Sequence, residues 1–419
     1  MPGVIEAYAK TIKASFKVSK PDDQHDVYEL TLAGLATPYL RLTVASLGSN
    51  AALSGLIDKR AQIGLTSRPF SDAEIATLLT LRGSGTRKDI ERVIALDGIV
   101  IVANPAAQVT SLKLCEVARI YSGQIRNWSE VGGAALPITL HVRDANSGTF
   151  ELFKSVLLAG CGVTLAPTAI PHATTDSMSA AVAGNAGAIG FAGSAATVGN
   201  AALTVRPLKI SSACGIEHLA TAFNVKTEDY PLSRRLYLLT PVPLSKNAQS
   251  FVDFLSSDFA EEAVSRSSAV SQGIETLGSD PRVTGRYQTG PGEDAIGILR
   301  RQTDGAQRMS ITYRFNFGST VLDIKAAQDI RRLARYLQAH PGRRVLIAGF
   351  TDGIGRDATN LRLSRERANV VQQALLGTGA GLDPAKLITD GFGAIIPVAC
   401  NDTDLGREKN RRVEAWLLP

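Results

Sequence analysis

The sequence predicts an α/β part followed by a smaller α+β domain, and three observations support this. From residue 1 to about 280, apolar strand-like runs alternate with segments of helical periodicity, which is typical of α/β folds. Residues 278–307 are rich in turn-forming residues and predict a linker. A second complete pattern, β-α-β-α-β-β, follows it. We therefore expect domains at residues 1–277 and 308–419, joined by a linker at 278–307.

The elements of the first part follow from the spacing of its apolar residues. The apolar side chains from Val4 to Phe16 recur on roughly one helical face. Short apolar runs predict strands at residues 28–32, 40–45, 93–103 and 138–142. Residues 150–158 predict a helix that begins after a turn.

The second part gives a clearer pattern. Its predicted strands are residues 311–317, 344–349, 387–391 and 412–418, and its predicted helices are residues 322–339 and 363–376. Pro341 and Gly342 end the first of these helices, because neither residue continues a helix well.

The composition narrows the possible functions. A chain of 419 residues with 44% hydrophobic and 20% charged residues is globular and long enough for two or three domains. The net charge of +6 suits an anionic ligand or an anionic envelope surface, and is too small to indicate nucleic acid. The sequence has no apolar run long enough to predict a membrane-spanning helix.

The four cysteines, Cys115, Cys161, Cys214 and Cys400, form no CxxC pair and have no histidine at metal-ligand spacing. We therefore expect no metal site and no cofactor. Their even number would permit disulfides in an oxidising compartment. The interpretation adopted is that most are free and buried as small apolar residues.

Asp352 and Arg367 form the most informative pair of the C-terminal part. Asp352 lies in the loop after a predicted strand, and Arg367 follows in the first turns of a helix. A carboxylate and a guanidinium that face one pocket can hold a zwitterion, because the acid binds an ammonium group and the arginine binds a carboxylate. The alternative is an ordinary surface ion pair between the two side chains.

The segment from Phe315 to Leu417 resembles the OmpA-like peptidoglycan-binding domain. The motifs that carry the resemblance run in order: Phe-Asn-Phe-Gly-Ser (315–319), Gly-Phe-Thr-Asp (349–352), Asn360, Leu-Ser (363–364), Arg-Ala (367–368), Gly391, Gly393, Pro397, Asn401, Gly406 and Asn-Arg-Arg-Val-Glu (410–414).

This resemblance implies that Asp352 and Arg367 bind the free end of the diaminopimelate residue of the peptidoglycan stem peptide. It places Thr351, Asn360 and Leu363 in the same pocket and Arg411 close to it. Two residues depart from the family. Phe350 stands where histidine is common, and Glu366 stands where many members have another arginine. Neither is a ligand-binding position, so we expect binding to be retained.

A second candidate site lies in the first part. Arg143 is followed by Ser147-Gly148-Thr149 at the start of a predicted helix. Backbone N–H groups, two hydroxyls and the positive end of the helix can together bind an oxyanion. The alternative is a simple helix cap by Ser147 or Thr149.

Residues 40–275 resemble the phosphate-binding proteins of ABC transporters. The motifs are Gly48-Ser49-Asn50, Ile-Gly-Leu-Thr-Ser-Arg-Pro (63–69), Ile-Tyr-Ser-Gly (120–123), Asn-Trp-Ser (127–129), residues 143–150, Asp-Ser-Met (176–178) and Ala-Ile-Gly-Phe (188–191). The resemblance implies an α/β two-lobed periplasmic binding protein fold, followed by the α+β OmpA-like β-α-β-α-β-β domain.

By the same resemblance, the ligand contacts are Ser49, Ser67, Arg143, Ser147, Gly148 and Thr149. Arg68 stands where some members have aspartate. An aspartate accepts a hydrogen bond from a protonated phosphate, whereas an arginine does not, which puts phosphate selectivity in question.

The family begins with a strand and a ligand-binding loop, and neither precedes the first helix here. We expect Met1 to be an internal residue of a longer natural protein whose signal peptide and first strand lie upstream. The alternative is a true start and a domain that has lost solute binding.

Together these patterns predict a cell-envelope binding protein that captures a small oxyanion, phosphate above all, and anchors to peptidoglycan. The expected location is the periplasm, associated with the cell wall or the outer membrane, and an ABC transporter permease is a further candidate partner. The alternative is a structural, peptidoglycan-tethered protein whose first domain no longer binds solute. An enzyme is not expected, because the five histidines lie in no catalytic or metal motif.

Overall fold

The computed structural model describes the following residues: 1–45, 47, 49–144, 147–193, 205–266, 269–278, 280–284 and 293–419. Its strands are β1 Ala14–Asp22, β2 His25–Leu32, β3 Leu40–Ala45, β4 Gly64–Thr66, β5 Glu91–Ala103, β6 Ser111–Lys113, β7 Thr139–Arg143, β8 Ile170–His172, β9 Ala188–Gly193, β10 Arg206–Pro207, β11 Lys209–Ser211, β12 Glu217–His218, β13 Ser233–Leu239, β14 Thr276–Leu277, β15 Gln307–Arg314, β16 Val345–Gly349, β17 Leu387–Gly391 and β18 Arg412–Leu417.

Helices connect most of these strands. They are α1 Pro2–Thr11, α2 Ser49–Ile57, α3 Asp72–Arg82, α4 Arg87–Ile90, α5 Leu114–Tyr121, α6 Gly148–Leu152, α7 Thr175–Gly184, α8 Ala222–Lys226, α9 Lys246–Phe254, α10 Asp258–Ser265, α11 Pro281–Thr284, α12 Glu293–Gln302, α13 Ile324–Ala339, α14 Asp357–Leu376 and α15 Asp404–Asn410. A π-helical segment, Phe153–Leu158, continues α6, so the helix predicted at 150–158 is confirmed.

Separate hydrophobic cores divide the N-terminal part into two lobes. The first lobe packs around residues such as Ile5, Tyr8 and Phe251, and the second around Trp128 and Phe153. Most of the strands form one sheet in the order β4-β13-β5-β9-β7-β8, with β10 also on β5. The long strand β5 passes through both lobes, because residues 91–98 pair with β13 and residues 99–103 pair with β9. The expected two-lobed α/β architecture is confirmed.

The first predicted helix is shorter than its apolar pattern suggested. Helix α1 ends at Thr11, and Lys13 adopts a positive φ of 55°, a conformation that does not continue a right-handed helix. Phe16 therefore lies on β1, where 39% of its surface is exposed, and the prediction that it shares the buried helical face was wrong.

The C-terminal domain is a five-stranded sheet in the order β14-β15-β18-β16-β17. Helices α13 and α14 pack on one face, around a core that includes Leu333, Val371 and Val413. The expected α+β domain is confirmed, with α15 as an additional short helix before β18.

The other face of this sheet is covered by part of the predicted linker. Leu299 of α12 and Val283 are buried in a cluster with Phe350 and Trp416. The linker prediction was wrong for residues 293–302, which form a helix, and residues 279 and 285–292 of that segment lie outside the described residues. The sheet also begins earlier than expected, because β14 at residues 276–277 pairs with β15.

The cysteine interpretation was also wrong. Cys115 pairs with Cys161 within the second lobe, and Cys214 pairs with Cys400, which joins the second lobe to the C-terminal domain. All four cysteines are therefore disulfide-bonded.

The two parts meet in a buried ionic contact centred on Asp229. Asp229 is 1% exposed, and its two carboxylate oxygens accept hydrogen bonds from Arg308 (2.8 Å) and Arg314 (2.9 Å) of β15. Burial alone would raise the pKa of Asp229, but the two arginines outweigh it and hold this pKa well below its usual value. The carboxylate is therefore ionised and fully paired at neutral pH.

We predict that Asp229→Ala lowers the free energy of unfolding by roughly 3–5 kcal/mol, because it removes the carboxylate that the buried guanidinium groups of Arg308 and Arg314 share. Urea unfolding followed by circular dichroism measures the change. The exposed Asp23→Ala is the control and should change the free energy by less than about 0.5 kcal/mol. Equal effects of the two substitutions would contradict the prediction.

A second prediction concerns His218, whose Nε2 donates a 2.7 Å hydrogen bond to the Val398 carbonyl of the C-terminal domain. Burial lowers the pKa of His218. As the pH falls below about 6.5, the unfolded chain takes up a proton before the folded chain does, so stability declines. Urea midpoints measured from pH 7 to pH 5 should fall less in His218→Asn, and the exposed His340→Asn should behave like the native chain. Identical pH profiles for all three proteins would refute the role of His218.

Candidate ligand sites of the two parts

The C-terminal candidate site forms where the ends of β16 and β17 meet α14. A side chain at Gly349 or Gly391 would collide with the backbone of Ser364 or Arg365, so only glycine allows the helix to lie directly on these strand ends. The following loop is held by two backbone bonds, from Phe350 N–H to the Arg412 carbonyl (2.7 Å) and from Thr351 N–H to the Gly393 carbonyl (2.8 Å).

Asp352 is 4% exposed, and its direct ion-pair partner is Arg411 rather than Arg367. Arg411 donates from Nη1 to Asp352 Oδ2 (2.8 Å) and from Nε to the Phe315 carbonyl (3.1 Å). The other carboxylate oxygen accepts the backbone N–H of Ile354 (3.1 Å). The sequence had placed Arg411 only near the pocket, whereas the structure makes it the residue that fixes the aspartate.

Arg367 is fully buried and stands beside this pair. Its Nε donates to the Ser319 carbonyl (3.1 Å) and its Nη2 to the Asn316 carbonyl (3.2 Å), while its guanidinium lies 5.2 Å from the centre of the Phe315 ring. The roles of Asn316 and Ser319 as backbone acceptors were not foreseen. The sequence motif that contains them, residues 315–319, was identified. However, every residue type has a backbone carbonyl, so the sequence cannot show which carbonyl accepts a hydrogen bond.

Two polar atoms of this site have no partner among the described residues. Arg367 Nη1 and Thr351 Oγ1 are both buried and make no hydrogen bond there. Burial, helped by repulsion from Arg411 and opposed by attraction to Asp352, lowers the pKa of Arg367 to about 10, so it stays charged at neutral pH. A buried charged donor without an acceptor is costly, and an anionic ligand group would satisfy it.

Asn360, Leu363 and Arg367 follow each other on α14 at spacings that put them on one helical face. Asn360 is 5% exposed, and its side-chain oxygen faces Gly355 of the adjoining loop. The two departures from the family lie elsewhere. Phe350 is buried beneath Arg412, 4.3 Å from its guanidinium, and Glu366 is exposed and lies 3.8 Å from Arg362.

In the first lobe, the structure brings Ser49 and Ser67 together. Ser49 begins α2, and its hydroxyl lies 3.2 Å from the Ser67 hydroxyl and accepts the Ser67 backbone N–H at 3.2 Å. Ser67 follows β4 directly, so the strand end and the helix start converge on this pair. Gly48, which precedes Ser49 in the predicted motif, lies outside the described residues.

Arg68 beside this pair is engaged by Glu74 of α3. The guanidinium makes two parallel hydrogen bonds to the carboxylate, at 3.0 Å and 2.9 Å. The pairing with Arg68 lowers the pKa of Glu74 to about 2. Arg68 therefore does not replace the missing aspartate with an uncompensated positive charge, because Glu74 balances it.

In the second lobe, Arg143 is held by residues 172–175, from the end of β8 to the first residue of α7. It donates to Thr175 Oγ1 (2.8 Å), to the Ala173 carbonyl (2.9 Å) and, from Nε, to the His172 carbonyl (3.3 Å). Ser147 directly precedes α6, and within the described residues its side chain makes no capping hydrogen bond.

The alternative to the oxyanion site, a helix cap by the Ser147 side chain, is therefore not observed within the described residues. Gly148 and Thr149 form the first turn of α6, with Thr149 half-buried. Ser49 and Ser67 lie on one lobe, and Arg143, Ser147, Gly148 and Thr149 lie on the other. An anion bound by both groups would bridge the two lobes.

Among the residues that the structure describes, no helix is long and apolar enough to cross a membrane. The same residues contain no cluster of three or more potential metal ligands.

The comparisons with known proteins agree with both resemblances. The PBP superfamily domain matches residues 29–258, and the OmpA family matches residues 314–411. The phosphate-binding protein PstS of Borreliella burgdorferi is 30% identical over 118 residues, or 28% of this chain and 39% of its own length. The peptidoglycan-binding protein ArfA of Mycobacterium tuberculosis is 34% identical over 141 residues, or 34% of this chain and 40% of its own.

A solved structure, an ABC-type phosphate transport receptor from Vibrio cholerae, is 29% identical with a TM-score of 0.42, and the match covers 52% of this chain and 83% of that one. The chain spans only about a third of the length of the outer membrane porins that it also matches. Both matched families consist of binding or structural proteins rather than enzymes.

Proposed function

Because the chain belongs to the PBP superfamily and carries a C-terminal OmpA family domain, we propose that this envelope binding protein captures a small oxyanion and grips the diaminopimelate of peptidoglycan. The observation that carries the proposal is the buried Arg367 guanidinium beside the Asp352–Arg411 ion pair. Its Nη1 has no acceptor among the described residues. This arrangement suits the free end of diaminopimelate, which carries an ammonium group and a carboxylate.

Each charged group of that ligand has a partner in the proposed pocket. Arg367 Nη1 and the Thr351 hydroxyl would donate to the ligand carboxylate. Asp352 would accept from the ammonium group, because a carboxylate has about four lone-pair sites and the described residues Ile354 and Arg411 occupy two of them. Asn360 would add an amide contact, and Leu363 would pack on the aliphatic part of the ligand.

The proposed oxyanion site combines Ser49 and Ser67 of one lobe with Arg143, Ser147, Gly148 and Thr149 of the other. Two hydroxyls on each lobe and the N–H groups at the start of α6 supply the donors that an oxyanion needs. Phosphate is the proposed ligand because the phosphate-binding protein PstS is 30% identical to this chain over 118 residues. Sulfate is its natural competitor, since Arg68 cannot accept a hydrogen bond from the hydroxyl group of a protonated phosphate.

One observation favours a second candidate function. The hydrogen bonds of Arg143 go to the second lobe itself, and Glu74 balances the charge of Arg68. A protein in which both cations are engaged in this way would serve as a structural, peptidoglycan-tethered component without solute binding. In either case we propose a periplasmic location at the cell wall or outer membrane, and under the first function an ABC transporter permease is a candidate partner.

We predict that Arg367→Ala and Asp352→Ala each weaken binding to purified peptidoglycan about tenfold or more, because a hydrogen bond to a charged group contributes roughly 1.5–3 kcal/mol. Co-sedimentation with peptidoglycan sacculi at increasing protein concentration gives the dissociation constant. Arg365→Ala on the exposed side of the same helix is the matched control and should bind normally. The two substitutions are also combined in Asp352→Ala/Arg367→Ala, whose fold is verified by circular dichroism. Unchanged binding by this double variant would overturn the proposed site.

We predict that isothermal titration calorimetry detects phosphate binding to the full chain and that Ser147→Ala/Thr149→Ala abolishes the heat, because it removes two hydroxyl donors at the start of α6. Titration with sulfate tests selectivity. Thr11→Ala, an exposed hydroxyl on α1, is the control variant. The absence of heat with either anion would favour the structural function instead.

A further inference from the structure

In the part of the chain that the structure describes, two neighbouring crossings of the chain join the lobes of the N-terminal part. One lies within β5 between Gly98 and Ile99, where its partner changes from β13 to β9. The other lies between Leu232 and Ser233, and the crossings run side by side because Ile99 N–H donates to the Leu232 carbonyl at 2.9 Å. Two lobes linked in this way can rotate about the crossings, which act as a hinge. Any third body that contacts both lobes would limit that rotation.

The C-terminal domain contacts the first lobe through α13. The Gln328 side chain makes two hydrogen bonds to the backbone of Val93 on β5, accepting its N–H and donating to its carbonyl, each at 3.0 Å. Arg332, one turn further along α13, lies 3.4 Å from Glu261 of α10. Gln328 is 6% exposed, so these bonds are made in a buried interface where water cannot replace them.

The C-terminal domain contacts the second lobe with a different set of elements. The Asp229 carboxylate accepts hydrogen bonds from Arg308 and Arg314 of β15. Lys409 of α15 donates to the Tyr230 carbonyl (3.1 Å). Farther from the crossings, the Cys214–Cys400 disulfide joins a small sheet of the second lobe (β12-β11-β6) to the loop that follows β17. The attachment to the second lobe is therefore covalent as well as ionic.

A single arginine at the crossing contacts all three bodies. Arg235 on β13 belongs to the first lobe and makes two hydrogen bonds to Glu228 of the second lobe, at 2.5 Å and 2.8 Å. Its remaining guanidinium nitrogen donates to Asp323 at the start of α13, at 2.7 Å. Movement of any one body would break part of this half-buried cluster and leave a charge without its partner, which is unfavourable.

We propose that the C-terminal domain is a brace across the crossing between the lobes, so that it sets the opening of the cleft between them. The inference goes beyond anion and peptidoglycan binding and depends on neither ligand. It follows from the attachment of one rigid domain to both lobes, with the Cys214–Cys400 disulfide as its fastening on the second lobe. The C-terminal domain thereby also fixes the relative position of the two lobes of the N-terminal part.

The test measures the distance between the lobes in single molecules of the full chain without ligand. Donor and acceptor dyes are attached through non-natural amino acids at Lys88 of the first lobe and Arg119 of the second, both exposed. The brace is weakened on both lobes in the triple variant Cys214→Ser/Cys400→Ser/Gln328→Ala, which lacks the disulfide to the second lobe and the Gln328 hydrogen bonds to the first. The matched control is Cys115→Ser/Cys161→Ser, which removes a disulfide that lies wholly within the second lobe.

The native chain and the control should both show one narrow distance distribution, and the brace variant should show a broader one shifted to other distances. Gln328→Met alone is a milder variant that keeps both disulfides, and it should broaden the distribution partly, which covers the case in which the triple variant does not fold. The proposal is overturned if the folded brace variant and Gln328→Met keep the native distribution. It is also overturned if the control broadens as much as the brace variant.

Discussion

The structure depends on the burial of one carboxylate, that of Asp229, between two arginines of another domain. Burying a lone charge is prohibitive, and Arg308 and Arg314 make this burial possible by pairing with both oxygens. Arg308 in turn lies 3.2 Å from Glu414, whose carboxylate also accepts hydrogen bonds from Arg282 and Arg412. Charges in such a network are compensated only when the two parts of the chain are docked in this one arrangement. The ionic network therefore specifies one relative orientation of the two parts of the chain.

The same interface reaches the proposed peptidoglycan pocket through adjacent residues. Arg314 is the last residue of β15, and Phe315 follows it directly. Phe315 exchanges two hydrogen bonds with Arg411, through the backbone N–H of Phe315 at 3.0 Å and its carbonyl at 3.1 Å. Arg411 then holds Asp352. The position of Asp352 is thus set by the end of β15, which the N-terminal part helps to fix through Asp229. The peptidoglycan pocket is therefore structurally coupled to the N-terminal part.

The sequence predicted those features that depend on local pattern. The strands at 40–45 and 387–391 have the predicted bounds, because their apolar runs end at clear turns. It failed where pairing is decided in three dimensions. The sequence contains four cysteines but does not show which of them pair. It likewise identifies Asp352, Arg367 and Arg411 as site residues but does not show which arginine pairs with the aspartate. Helix α12 was hidden because the turn-rich residues before it dominated the composition of the whole segment.

The N-terminal site shows how local folding needs can change the chemistry of a ligand site. Glu74 accepts the Ser71 backbone N–H in the capping box of α3, and the same carboxylate binds Arg68. Glu74, which caps α3, therefore also balances the charge of Arg68. The first lobe can then contribute only uncharged donors to the site, namely the hydroxyls of Ser49 and Ser67. On the proposed function, the electrostatic attraction for an anion must then come chiefly from the second lobe, through Arg143 and the start of α6. Capture would need both lobes at the right separation, and that separation is the quantity that the C-terminal domain controls as a brace.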